Sequence, residues 1–360
     1  MHIKPLTNSW LQGICTVFVA ISLYVPLPIM AQTPASILPP KPIDPFDVEV
    51  IVDFREKMRE FVTTIGSQAR TVNPNFVIVA ENGLALVDKA DPNDDTNLFP
   101  ARTYMRAISG VLETKMLNEN VLGPQGKLLP SLEDALKIRK TNEKTANDFS
   151  LPILNLEYSK EPATIDKLYQ ASVKKGYTPF VGENETLSSK PKQPKTAFHA
   201  NPRSIRAISD IRNFLYVKSS QAFGNKNEYL QSLRATNYDA LIIDVFHNGN
   251  PLTRQDIGLL KYKNLGTRRL VLAEMDISSA ATFHYYWGND WKQGNPPYIY
   301  TPIRNDPDRH HAIYWDAGWQ AIITGNVKSY LYGILDLGFD GVLLKGVDAW
   351  KFYEKGGDTP

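Results

Sequence analysis

Several acids stand where apolar runs end: Asp244 after ALII, Glu157 near the end of ILNLEY, and Glu274 and Asp276 closing RLVLAEMD. A carboxylate at the end of a strand buried on both sides needs a partner or a purpose. Two at one opening could cleave a glycosidic bond, one protonating the leaving oxygen while the other attacks or activates water. Asp244 and Asp276 are the expected working pair, with Glu157 assisting. The stretch GFDGVLLKGVDAWKFYE at 338–354 ends its apolar run on a base, Lys345, with Asp348 three residues on. A buried lysine without a carboxylate is costly or loses its proton, so Lys345 is expected to pair with Glu274 or Asp276.

Aromatic runs follow the seventh apolar segment: FHYYWGNDW at 283–291, PPYIYTP at 296–302 and IYWDAGW at 313–319. Rings in loops above a site can stack on the apolar faces of sugars while neighbouring polar groups bond hydroxyls. Trp287, Trp291 and Trp315 are the expected platforms, and Tyr285 and Trp319 are expected in the core. Lys345, Glu274, Asp348 and Asn82 complete the expected substrate contacts. No metal or organic cofactor is expected. The adjacent His310 and His311 lack the helical spacing that would place both on one ion, which leaves a metal hydrolase a distant alternative.

These residues need elements to position them. Apolar strand candidates occur at 76–81, 106–112, 153–158, 178–182, 214–219, 240–246, 269–276 and 341–347. Helical patterns lie at 54–70, 164–175, 228–235, 254–264 and 317–337. This alternation is the signature of βα units around a parallel sheet. Eight strands predict an α/β fold of the closed (β/α)₈ TIM-barrel type, with a doubly wound sheet plus subdomain as the alternative; in a barrel the chemistry sits at the carboxyl ends of the strands. Period-two alternation then puts Asp244, Asn155 with Glu157, Glu274 with Asp276, and Lys345 on the inner face.

Composition narrows the partners. The 360 residues carry 40 basic and 38 acidic side chains, a formal net charge of +2, so no excess field would concentrate on a phosphate backbone, and nucleic acid is not an expected partner. With 42% hydrophobic residues the chain can bury a sizeable core. Residues 1–31 have the three-part pattern of a secretory signal peptide, and the apolar stretch at 14–24 is short for a bilayer needing about 20 apolar residues. The expectation is removal after Ala31, no stable membrane insertion afterwards, and a secreted protein, extracellular or periplasmic. Its single cysteine, Cys15, would leave with the leader. Residues 32–53 read as a proline-rich tether, and 54–360 as the barrel domain.

Taken in order, MREFVTTIGSQAR at 58–70, FVIVAENG at 76–83, YDALIIDVF at 238–246, YYWGNDW at 285–291, YWDAGWQAII at 314–323 and GFDGVLLKGVDAW at 338–350 resemble a family of secreted TIM-barrel glycoside hydrolases. That family is typified by endo-α-1,4-polygalactosaminidase and was formerly grouped with cysteinyl-tRNA synthetase. The resemblance implies action on an extracellular amino-sugar polysaccharide without a cofactor. The chain departs from the family pattern at Lys345, which takes the place of an acid, and at Ser279 and Ala281, where glutamates are usual. It has Glu274 and Asp276 where the family has tyrosine-like and serine-like residues, so acids have moved as well as vanished. Two functions follow as expectations: a glycoside hydrolase working through carboxylates, or a catalytically inactive relative that binds polysaccharide through its aromatic loops.

Overall fold

The computed structural model describes residues 52–91, 94–117 and 130–357; the leader at 1–31 and the tether up to residue 51 lie outside the described residues. Eight parallel strands form one sheet: β1 (Val77–Glu81), β2 (Gly110–Thr114), β3 (Ile153–Tyr158), β4 (Thr178–Gly182), β5 (Phe214–Val217), β6 (Ala240–Ile243), β7 (Leu270–Asp276) and β8 (Gly341–Lys345). The ladder runs β4-β3-β2-β1-β8-β7-β6-β5, so strands adjacent in sequence are adjacent in space and β1 meets β8. Only β4 and β5 share no ladder among the described residues. That seam is bridged by the Phe180 ring, 5.5 Å from that of Phe214, and by Lys218 N donating to Leu187 O at 3.1 Å. The architecture is a nearly closed (β/α)₈ barrel.

Helices surround it. The first, α1 (Phe54–Val72), is capped by Asp53, whose Oδ1 accepts from Glu56 N at 2.9 Å. Its Met58, Phe61, Val62, Ile65 and Ala69 are buried at helical spacing against the sheet. Next come α2 (Arg102–Ala107), α3 (Pro130–Asp148), α4 (Pro162–Lys174), α5 (Lys226–Arg234), α6 (Arg254–Leu260), α7 (Ala317–Ile323), α8 (Tyr330–Leu337) and α9 (Trp350–Glu354). No helix among the described residues is long and apolar enough to cross a membrane.

Several boundaries differ from the sequence reading, three of them for a local reason. The helix expected over 317–337 is two, because Gly325 sits at φ +95° and Ser329 starts a new N-cap for α8. The strand expected at 106–112 begins only at Gly110, since Arg106 and Ala107 end α2. The strand expected to run to residue 246 leaves the ladder after Ile243, where Asp244 Oδ1 accepts from Phe246 N at 3.0 Å and turns the chain.

Register decides what faces the barrel axis, because paired residues in a parallel ladder share a face. Tyr216, Ile242, Leu272 and Gly341 form one row, and Glu274, Leu343 and Val79 the row above. Above these stand Glu81, paired with Leu112, and Asp276, paired with Lys345. Gly341 is required by this packing, as a Cβ there would collide with Val77 O of β1. At the amino-terminal end of the barrel lies a fully buried ion pair, Lys263 Nζ to Asp239 Oδ1 at 2.6 Å. The same ammonium donates to Asn201 O and Arg203 O, and Arg212 N and Asn201 Nδ2 satisfy Asp239, so no charge there is left bare.

Candidate active site at the barrel mouth

The inward side chains of β5, β7 and β8 meet at Glu274. Lys345 Nζ donates to its Oε1 at 2.6 Å and the Tyr216 hydroxyl to its Oε2 at 2.7 Å, across 71 and 58 residues of sequence respectively. Tyr216 is fully buried, and the lysine and glutamate side chains are 23% and 16% exposed. Burial alone would lower the pKa of Lys345, but Glu274 and Asp276 outweigh it and the net shift is upward. The ammonium is therefore held charged. Its expected pairing is realised with Glu274.

Asp244 faces the same opening. Burial, reinforced by the charge of Glu274, raises its pKa to about 6 against the opposing pull of Phe246 N, Lys345 and Arg309. Glu81, absent from the expected site, stands one layer above Glu274, level with Asp276 and Lys345, and is only 8% exposed. Burial raises its pKa to about 7; Lys218 and Lys345 oppose the shift, while Glu274 and Asp348 add to it. The signal for Glu81 was present in the sequence: like Asp244, it closes an apolar strand.

Asp276 also reaches the mouth but is bound on both oxygens. Its Oδ1 accepts from Ser278 N and Ser279 N at 3.0 and 2.9 Å, and its Oδ2 from Ser279 Oγ at 2.6 Å with Arg309 at 3.4 Å. Gly346 lets the chain pass, since a Cβ there would collide with Ser278 Oγ. Asp276 thus pins the turn after β7 while it lines the mouth. The expected inward place of Glu157 is corrected by the register. Its Oε1 accepts from Leu117 N and from Asn155 Nδ2, and Asn155 donates on to Ser172 of α4. That face of β3 is turned to the helices, so Glu157 is not brought to the cluster and Tyr158 occupies the inner face instead. Asn82, in the left-handed region at φ 54°, donates to Asp348 Oδ2 at 3.3 Å and ties the end of β1 to the loop after β8.

The tryptophans are packed elsewhere. Trp315 lies against Phe54 and Tyr353, with centroids at 5.1 and 4.7 Å, beside the start of α1. Trp287 and Trp291 pack against each other, against Tyr298 and against His310 in the insertion between β7 and α7. That insertion is a small antiparallel sheet of Ser279–Ala281, Ile299–Ile303 and Asp306–Ala312. Trp319 is buried as expected, its Nε1 donating to Ile277 O at 2.8 Å, whereas Tyr285 is 58% exposed. Of the aromatic side chains that line the mouth, Phe283 is the most exposed, at 66%, with the Arg309 guanidinium 5.3 Å from its centroid. His310 and His311 face opposite sides of their strand, the latter stacked on Phe352 at 3.7 Å.

A cavity of about 440 Å³ opens over these groups, within the usual range of small-molecule sites. Asp244, Glu274, Asp276, Lys218, Arg309 and His284 supply its polar wall, and Phe246, Phe283 and Tyr330 its apolar one. Burial, then the neighbouring Arg309, push the His284 imidazole down to about 4, so it stays neutral near pH 7.

No family model matches the chain. Its sequence is similar to an uncharacterized protein of Methanocaldococcus jannaschii, 25% identical over 181 residues, covering 49% of this chain and 50% of that protein. It is also similar to one of Deinococcus radiodurans, 23% identical over 162 residues, covering 45% and 48%. The chain spans about half the length of the curated relatives it matches.

What the mouth can do follows from the contrast between its carboxylates. Glu274 is held as an acceptor by two donors, Asp276 is consumed by its turn, and Asp244 sits in surroundings that favour its proton. One acid that holds a proton to about pH 6 beside a fixed acceptor carboxylate is a general acid–base arrangement.

Proposed function

We propose that the protein is a secreted glycoside hydrolase acting on an extracellular polysaccharide; its resemblance to the polygalactosaminidase family makes amino-sugar polymers the first class to assay. Asp244 is the proton donor to the leaving oxygen. Glu274 is the attacking or water-activating carboxylate, oriented by Lys345 and Tyr216. The observation that carries the reading is the shared cavity of these two carboxylates with unlike surroundings, Asp244 desolvated and Glu274 doubly hydrogen-bonded. A general acid or base contributes about 10²–10⁴-fold. Reducing-end release from amino-sugar and uronic polymers by the exported chain is therefore expected to fall by about that factor in Asp244→Asn and in Glu274→Gln. Because Asp244 must carry its proton, kcat/KM should decline as pH rises through about 6. Full activity in both variants would remove the proposal.

A second reading is favoured by the ion pair itself. Lys345 and Tyr216 engage one oxygen each of Glu274, as they would in a site that only binds. Saccharide binding with no release, unchanged in Asp244→Asn, would decide for it.

A further inference from the structure

We propose that the mouth takes a saccharide bearing an anionic substituent, a carboxylate or a sulfate ester, and that the Lys218 ammonium receives that group. The inference rests on reading the cavity as a saccharide site, and it starts from the pairing of the charges around it. Lys345 is taken by Glu274 at 2.6 Å. Arg309 is shared between Asp276 at 3.4 Å and Asp306 at 3.3 Å. Lys218 is different. Two positions beyond Tyr216 on the same inward face, its ammonium lies 5.3 Å from the centroid of that ring and lines the cavity together with Asp244 and Glu274. Among the described residues no carboxylate lies within ion-pairing distance of it. Glu81 and Glu185 feel it only through longer-range attraction, and Glu185 is engaged by Lys115 at 2.6 Å.

A cation held over an aromatic face, partly desolvated and without a counter-ion, is poised for an anion brought by a ligand. Ser219 and Gln221 follow it along the same wall and offer neutral hydrogen-bonding groups for hydroxyls, while the Ser220 hydroxyl is engaged by His247 Nδ1 at 2.9 Å. Since Lys218 shares the cavity with the two working carboxylates, the anionic group belongs to a sugar next to the bond being cleaved. This is a departure from a cationic amino sugar, which Lys218 would repel.

The test is calorimetric binding of defined tetrasaccharides to the exported chain. The probes are α-1,4-galacturonate, its methyl ester, a galactan with and without O-sulfate, and α-1,4-galactosamine. A charge-assisted hydrogen bond makes a difference of about tenfold or more. The wild type is therefore expected to bind the free galacturonate or the sulfated galactan at least tenfold tighter than its neutral counterpart, and whichever gains identifies the anion. Lys218→Gln should abolish that gain without changing the urea midpoint, and Lys218→Arg should keep it. Equal affinity for charged and neutral probes, a gain that survives Lys218→Gln, tighter binding of galactosamine, or no binding of either anionic probe would each overturn the inference. Reducing-end release measured in parallel separates the two proposals. Lys218-dependent binding without release removes the hydrolase reading alone, whereas release from neutral or cationic oligomers with no gain from the acid removes the anion site alone.

Discussion

At the scale of single residues, Lys345 is explained by what it holds. It stands where the resembled family is expected to carry an acid, yet it is neither stranded nor neutralised, because Glu274 lies on the neighbouring strand at hydrogen-bond distance. Removing one partner of a buried pair leaves the other charge uncompensated, at about 3–5 kcal/mol when burial is complete. Some water reaches this pair, so Lys345→Met is expected to cost about 3 kcal/mol in urea denaturation. Lys345→Met combined with Glu274→Leu should recover part of the loss. A single variant as stable as the wild type would mean that Tyr216 alone satisfies Glu274.

At the scale of elements, the segment between β7 and α7 builds one wall of the mouth, and Asp276 is its pivot. Ser279 pairs with His311 across the small sheet and is buried, its hydroxyl donating to Asp276. The double change Ser279→Glu with Lys345→Asp would put acids back where the resembled family has them. It would also set four carboxylates, with Glu274 and Asp276, around a site that had lost its ammonium. Like charges at that range raise one another's pKa and disfavour ionisation. The expected outcome is a lower melting temperature and no clean gain of hydrolysis on a galactosamine polymer. A gain with unchanged melting temperature would show that the turn has room for the family's acid and that Asp276 is dispensable.

At the scale of the whole molecule, the two ends of the barrel are built to different rules. The buried pair at the amino-terminal end is saturated with hydrogen bonds, whereas the mouth keeps acids with raised pKa values, Glu81 foremost. That difference sets a pH dependence. In the native state Glu81 keeps its proton up to about 7, while the unfolded chain releases it near 4.5. Between those values the native state binds more protons, so this contribution to stability falls as pH rises through the window and is gone above it. The shift corresponds to about 3 kcal/mol. Glu81→Gln should therefore raise the urea midpoint at pH 8 relative to the wild type and flatten the change between pH 5 and 8. A variant with the wild-type slope would assign the dependence to Glu113, whose pKa is also raised to about 7, chiefly by burial.

The order of the strands, their approximate ends, and the acids and the lysine at those ends were legible in the sequence, because short apolar runs closed by charge are a local pattern. So was the need of Lys345 for a carboxylate, which follows from the cost of burying a bare ammonium. The facing of β3 was not legible. In a barrel strand both faces are apolar, so alternation alone does not distinguish the axis from the helices. For ILNLEY the ladder to β2 and β4 and the acceptance of Asn155 by Ser172 turned Glu157 outward. Only the tertiary structure brought Tyr216 to Glu274, spent Asp276 on its own turn, left Lys218 facing the cavity, and drew Trp287, Trp291 and Trp315 into packing while exposing Phe283. Each of these outcomes depends on register and on competition for partners across tens of residues, which no local pattern carries.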